Sequence, residues 1–319
     1  MVVEEVTKAL DEAISKTARH WFEEHKSTVG DSRAAAGLIH GYQEIRKLVT
    51  GGMPVYWYQA PHINMAYTTA LQLLEQSALD CSTDRPLHTY DFGCGALATQ
   101  FGLSLAVTER VGSTTDSVDI SIKSVDESVV MEAIGWRVWH EFRLEIGNKA
   151  KYPHLDVLRQ VCESLVFNRS VQYTGETWVT AHHVVYQENH ADVTKQLSEL
   201  TRELNPQYVL MTTRSRKEDL LPQASALGMY TRYSFERVLT DLRGPFEKTN
   251  GFRAEIRDFL VTQAQDQLDK SENSFILPYL RNGTRWILQQ GPYSDPPLGV
   301  YYERDGQTSD NPLEDDLPF

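Results

Sequence analysis

The chain has 319 residues, of which 41% are hydrophobic, and a formal net charge of −13 at pH 7. This length and composition suit one large domain or two modest ones with a packed core. An acidic chain repels a polyphosphate backbone, which disfavours nucleic acid as the partner. The sequence has no apolar run of about 18 residues and no secretion signal, so we expect a cytoplasmic protein without membrane contact.

Cysteine and histidine spacing predicts neither disulfides nor a metal site. Cys81, Cys94 and Cys162 are far apart and match no disulfide framework and no paired zinc-ligand pattern. The histidines and the glutamate between residues 182 and 190 also match no zinc signature. A reducing compartment is the simpler interpretation.

The first 85 residues are predicted to form an N-terminal helical cap. Apolar residues recur at helical spacing over residues 3–22, 34–48 and 64–79. Gly51, Gly52 and Pro54 end the second of these segments.

After Pro86 the pattern changes to short apolar strands that alternate with helices, which is typical of a parallel sheet built from βαβ units. The predicted strands cover residues 87–92, 117–120, 170–173, 177–182, 208–212, 232–239 and 285–290. The predicted helices cover residues 98–111, 124–146, 153–165, 193–204 and 252–268. We therefore expect an α/β domain over residues 86–304, with a Rossmann-like, seven-stranded, mostly parallel sheet flanked by helices, followed by an acidic flexible tail over residues 305–319.

The most specific motif lies where the first strand should give way to a helix. Gly93 and Gly95 allow a tight turn that a nucleotide-like ligand can approach closely. Asp91 places a carboxylate at the carboxyl end of that strand, which is the edge where open α/β sheets bind ligands. Asp119 closes the next apolar stretch, at the spacing expected for an acidic residue that accepts hydrogen bonds from ribose hydroxyls.

This pair of motifs resembles the class I S-adenosylmethionine-dependent methyltransferases, over roughly residues 87–290. In that family a glycine-rich turn follows the first strand and an acidic residue ends the second. The resemblance implies that Asp91, Gly93, Gly95 and Asp119 bind S-adenosylmethionine. With nucleic acid disfavoured, the expected methyl acceptor is a small molecule or a peptide, methylated on oxygen or nitrogen.

Two other functions stay open. The spacing Gly93-x-Gly95-x-x-Ala98 also satisfies the dinucleotide fingerprint, so an NAD(P)-dependent oxidoreductase is the rival enzyme. The methyltransferase is favoured because Asp91 precedes the first glycine and because little chain remains for a separate substrate domain. A non-catalytic interaction protein that kept the fold is the third hypothesis.

The end of the predicted fourth strand offers candidate catalytic residues. His182 or His183 would serve as a general base, because imidazole titrates near neutral pH. The alternative is that they only shape the pocket. The Asn-Pro-Pro-Tyr sequence of enzymes that methylate amino groups of nucleic acids is absent here.

An aromatic segment at residues 56–62 joins the cap to the sheet domain. Tyr56 and Tyr58 are candidate contacts for the sulfonium cation, since aromatic faces attract cations. Packing between the cap and the core is the alternative role. A homodimer is compatible with the sequence, which does not determine the oligomeric state.

Overall fold

The computed structural model describes residues 3–29, 63, 66–67, 69–71, 74, 86–112, 118–127, 129–167, 175–182, 184, 190–213, 227, 230–234 and 298–303. Several predicted features lie outside these residues. They are the helices at 34–48 and 252–268, the aromatic segment with Tyr56 and Tyr58, the strands at 170–173 and 285–290, His183, and the acidic tail.

The described elements alternate between helix and strand after the first helix. The helices are α1 (Val3–Val29), α2 (Ala98–Val111), α3 (Val129–Gly147), α4 (Asp156–Ser164) and α5 (His190–Leu204). The strands are β1 (Leu87–Phe92), β2 (Ile120–Val125), β3 (Leu165–Phe167), β4 (Glu176–His182), β5 (Tyr208–Thr213), β6 (Tyr230–Ser234) and β7 (Leu298–Glu303).

The strands form one sheet in the order β3-β2-β1-β4-β5-β7-β6. Strands β1 to β5 run parallel to one another. Strand β7 runs antiparallel to both β5 and β6. The prediction of an α/β fold with a parallel sheet flanked by helices is confirmed for this five-stranded part.

The predicted limits of the second strand are wrong. Residues 117–120 were expected to form it and residues 124–146 the following helix, but β2 covers Ile120–Val125 and α3 begins at Val129. Parallel pairing with β1 sets these limits, because Leu87 pairs with Ile120 and Phe92 with Val125. Asp119 therefore precedes β2 instead of ending it.

Helices pack on both faces of the sheet. Successive strand residues point to opposite faces, so each face contributes apolar side chains to a separate core. In β4, Trp178 belongs to a core shared with α1, α2, α3 and α4, and Val179 belongs to a smaller core under α5. Aromatic edges complete the larger core, where the Phe101 and Trp139 rings pack at 80° with centroids 5.0 Å apart.

Helix α1 packs on α3 through apolar residues and is flanked by ion pairs. Lys16 binds Glu145, and Lys151 binds both Glu12 and Glu145. Burial of Glu145 opposes ionisation, but hydrogen bonds from its neighbours outweigh this effect and lower its pKa overall. The buried face of α1 thus belongs to the same core as the sheet, while the division between cap and domain stays a prediction. No helix in the described ranges is long and apolar enough to cross a membrane.

Candidate functional site

The sheet reverses its direction of growth between β1 and β4. Strands β2 and β3 extend from one side of β1, and β4 and β5 extend from the other. Open α/β sheets bind ligands in the crevice beyond the carboxyl ends of the strands at such a switch point. In this chain, that edge is where β1 ends at Phe92 and β4 ends at His182.

The glycine turn lies at this edge and has the backbone conformation that its sequence predicts. Gly93 and Gly95 have φ angles of +71° and +51°, a region that residues with a side chain rarely adopt. The backbone N–H groups of Gly93 and Cys94 donate to the Val125 carbonyl at 2.8 and 3.1 Å. The turn is therefore tied to the carboxyl end of β2.

The glycine turn packs closely against the residue Val184 after β4 and against helix α3, and at each contact only glycine fits. A Cβ added to Gly93 would lie 2.6 Å from Cγ2 of Val184, just after β4. A Cβ added to Gly135 of α3 would lie 2.6 Å from the carbonyl carbon of Ala96 in the turn. At Gly95, by contrast, an added Cβ would meet no atom of the described residues within 4 Å, so these residues leave this side of the turn open.

Gly135 and Leu97 are positioning residues that sequence reasoning missed. Gly135 lies within an otherwise regular helical pattern, where nothing marks it as a contact point. Leu97 precedes α2 with φ 64° and ψ 34°, a left-handed conformation that is unusual for leucine, and its side chain is fully buried. Its position, two residues after Gly95, is the only sequence signal that could have identified it.

Asp91 lies in the penultimate position of β1 and is buried beneath the turn. The hydroxyl groups of Thr99 and Thr180 both donate to its Oδ1, at 2.9 and 2.8 Å. Its Oδ2 is buried and has no hydrogen-bond partner within the part of the chain that the structure describes. Burial raises the pKa of Asp91 to about 6, although the two threonine hydrogen bonds act in the opposite direction.

Asp126, and not Asp119, is the acidic residue that follows β2 at the site. The backbone N–H of Gly95 donates to Oδ2 of Asp126 at 2.7 Å. Asp119 lies at the opposite edge of the sheet, where its carbonyl accepts from the N–H of Leu87 at the start of β1. Asp119 and Asp126 flank the six residues of β2, which puts about 23 Å between them at roughly 3.3 Å per residue. The expectation that Asp119 ends the second strand is thus wrong, because β2 begins after it, and the ligand-binding role of Asp119 stays a prediction.

His182 is the last residue of β4 and is buried. Burial lowers the pKa of its imidazole to about 4, so the ring is neutral near pH 7. Cys94, in the turn, is also buried, and burial raises the pKa of its thiol far above the usual value. A thiol that stays protonated is a poor nucleophile, and the Cys94 thiol donates to the Gly95 carbonyl at 3.8 Å.

The structure brings together Asp91, Gly93, Gly95 and His182 at one sheet edge and separates Asp119 from them. His183, Tyr56 and Tyr58 lie outside the described residues. Among the residues that the structure describes, no group of three His, Cys, Asp or Glu side chains could hold a metal ion.

Several solved structures are similar to this chain, and two of them illustrate how distant the likeness is. No protein-family model and no curated protein matches the chain. A cyclopropane-fatty-acyl-phospholipid synthase-like protein from Lactobacillus casei aligns with a TM-score of 0.31 and 9% identity, over 76% of this chain and 92% of its own. An uncharacterized ACR protein from Burkholderia thailandensis aligns with a TM-score of 0.35 and 11% identity, over 94% of each chain. Both TM-scores are below 0.5, so these two likenesses indicate no function for this chain.

Proposed function

We propose that this protein is an S-adenosylmethionine-dependent methyltransferase that acts on a small molecule or a peptide, at an oxygen or a nitrogen atom. The observation that carries the proposal is the buried Asp91 carboxyl beneath a glycine turn at the β1/β4 switch point, whose Oδ2 has no hydrogen-bond partner among the described residues. A buried carboxylate oxygen without a hydrogen-bond donor is costly, and a cationic ligand group would supply one.

The residues at this edge fit the parts of S-adenosylmethionine. Asp91 suits the ammonium group of the methionine moiety, and the open side of Gly95 lets the ligand approach the backbone. Asp126 is placed to accept hydrogen bonds from the ribose hydroxyls. Beside it, Val125 and Val129 expose 37% and 75% of their surface, which suits contact with an adenine ring. Bound S-adenosylmethionine would supply an electrophilic methyl group.

The sheet order favours this cofactor over a nicotinamide dinucleotide. The dinucleotide-binding fold has the strand order 3-2-1-4-5-6. Here β7 is inserted antiparallel between β5 and β6. A seven-stranded, mostly parallel sheet is what the resemblance to class I methyltransferases implies, and this arrangement therefore supports the methyltransferase over the oxidoreductase.

His182 is the candidate general base for an acceptor that must lose a proton. Its ring is neutral near pH 7, so a ring nitrogen is able to accept a proton. Its burial also disfavours the imidazolium that would form, which makes it a weak base unless the acceptor changes its surroundings. Positioning the acceptor against the methyl group would therefore provide much of the rate enhancement.

The test of the cofactor is calorimetric titration of the full chain with S-adenosylmethionine, NADH and NADPH. We expect binding of S-adenosylmethionine alone. Asp126→Asn should weaken it about 10- to 100-fold, because a hydrogen bond to a charged group contributes about 1.5–3 kcal/mol. Asp119→Asn, at the opposite edge, is the matched control and should leave the affinity within about twofold.

Each alternative function has its own result. Binding of NADH or NADPH in place of S-adenosylmethionine would refute the methyltransferase. If Asp119→Asn abolished binding of S-adenosylmethionine and Asp126→Asn left it unchanged, the placement of the site at the carboxyl ends of the strands would be refuted. Binding of S-adenosylmethionine without formation of S-adenosylhomocysteine, across metabolite and peptide acceptors, would support the non-catalytic interaction protein.

A further inference from the structure

The two threonines around Asp91 form an arrangement that the cofactor site by itself does not require. Thr99 lies in the first turn of α2 and Thr180 in the middle of β4, and their hydroxyl groups converge on the same oxygen, Oδ1 of Asp91. Both threonines are buried, at 5% and 3% exposure. The other oxygen, Oδ2, is buried without a partner. Oδ1 of the carboxylate thus accepts two hydrogen bonds, and Oδ2 accepts none from the described residues.

We infer that Thr99 and Thr180 are positioning residues, which hold Oδ1 of Asp91 so that Oδ2 is left, ionised, for the ammonium group of the ligand. The inference deepens the proposed function and rests on it for the identity of the ligand. A carboxylate with free rotation would share its donors between both oxygens. Two donors from different elements on one oxygen define the plane and the direction of the other.

The same two hydrogen bonds keep Asp91 in the charge state that a cation requires. Burial favours the neutral acid, and donors to the carboxylate oppose this effect. Among the described residues, the titratable groups nearby are Asp126 after β2, Cys94 in the turn and His182 on β4. Asp126 raises the pKa of Asp91 further, and burial holds His182 neutral. With both threonine donors removed, Asp91 would therefore be mostly neutral at pH 7.

Valine replaces threonine with nearly the same shape and without the hydroxyl, so the double variant Thr99→Val/Thr180→Val isolates the two hydrogen bonds. The conservative double variant Thr99→Ser/Thr180→Ser keeps them. Thr108→Val/Thr177→Val is the matched control, because both threonines are buried on the same two elements. Thr108 lies about 14 Å along α2 from Thr99, and Thr177 about 10 Å along β4 from Thr180, from the rise per residue of helix and strand.

Two ligands separate the ammonium contact from the rest of the site. S-Adenosylmethionine carries the ammonium group, and 5′-methylthioadenosine has the same nucleoside without the amino-acid moiety. In the valine double variant we expect the Kd for S-adenosylmethionine at pH 7 to rise at least about tenfold and the Kd for 5′-methylthioadenosine to stay within about twofold. This follows if each lost donor raises the pKa of Asp91 by about one unit. The serine and control double variants should bind both ligands nearly as the wild type does.

A second measurement uses the protein without ligand. Carboxyl-carbon NMR of the full chain should show the pKa of Asp91 rising in the valine double variant and unchanged in the other two. Equal weakening for both ligands, an unchanged Kd for S-adenosylmethionine, or an unmoved pKa of Asp91 would overturn the inference. If the wild type binds neither ligand, the proposed function fails, and the NMR result then decides the inference alone: a pKa that rises with valine and recovers with serine supports it, and one that does not move refutes it.

Discussion

Replacing Asp91 by asparagine should change how the stability of the protein depends on pH. In the folded chain the pKa of Asp91 rises from its usual 3.8 to about 6. Below pH 3.8 the carboxyl is protonated in both states and burial has no ionisation penalty. As the pH rises through about 6 the folded protein must ionise a buried group, so the stability that the neutral acid provides is lost.

The magnitude follows from the two pKa values. A difference of about two units, at about 1.36 kcal/mol each, makes the ionised Asp91 destabilise the folded state by about 3 kcal/mol at pH 7. Asparagine keeps an oxygen for the two threonine hydroxyls but puts an amide where Oδ2 stood, at a pH-independent cost of about 1–3 kcal/mol. Because the unfolded chain is already partly ionised at pH 4, the difference in unfolding free energy, variant minus wild type, should increase by about 2.4 kcal/mol between pH 4 and pH 7.

Urea unfolding of both proteins from pH 4 to pH 7, followed by tryptophan fluorescence, measures this difference. The wild-type curve alone is not informative, because His182 contributes a slope of the opposite sign. The pKa of His182 is lowered from 6.5 to about 4, so its contribution is present above pH 6.5 and is lost as the pH falls through 4. For His182→Gln, the difference in unfolding free energy, variant minus wild type, should accordingly decrease between pH 4 and pH 7. A constant difference between Asp91→Asn and wild type would refute the reasoning, since Asp91 would then have the same pKa in both states.

Glycine variants test the packing of the turn. Gly93→Ala should lower the unfolding temperature more than Gly95→Ala, because both glycines have a positive φ but only Gly93 faces Val184. Adding Val184→Ala should reduce this extra loss of unfolding temperature. Equal effects of the two glycine variants would contradict the contact between Gly93 and Val184. Gly135→Ala should cost about 1–3 kcal/mol in urea unfolding and weaken S-adenosylmethionine binding, because its Cβ would press on the Ala96 backbone. Gly147→Ala, where an added Cβ meets nothing within 4 Å, is the control on the same helix; equal effects at both positions would show that α3 does not support the turn.

Local patterns predicted some elements to the residue. The expected limits 87–92 and 98–111 are those of β1 and α2. Gly93 and Gly95 stand between these two elements and interrupt any continuous helix or strand, so the neighbouring sequence alone marks where β1 ends and α2 begins. The torsions of Gly93 and Gly95 follow from the same signals, and the structure has both at positive φ.

The second strand shows where this approach fails. Three of the five residues after Ile120 are polar, namely Ser121, Lys123 and Ser124, and the strand was expected to end at residue 120. Pairing with β1 decides otherwise, because each residue from Leu87 to Phe92 has a partner between Ile120 and Val125. The register of a strand depends on its neighbours, which the local sequence does not contain.

By itself, the sequence determined the α/β class, the glycine turn and the placement of Asp91 at the end of the first strand, because turn chemistry and hydrophobic periodicity are local. Only the tertiary structure decided that Asp126, and not Asp119, contacts the glycine turn, and that Gly135 packs against Ala96 of the same turn. It also decided that Thr99 and Thr180 meet on one oxygen of Asp91. Thr180 is 89 residues from Asp91 along the chain, and only the pairing of β1 with β4 makes them neighbours.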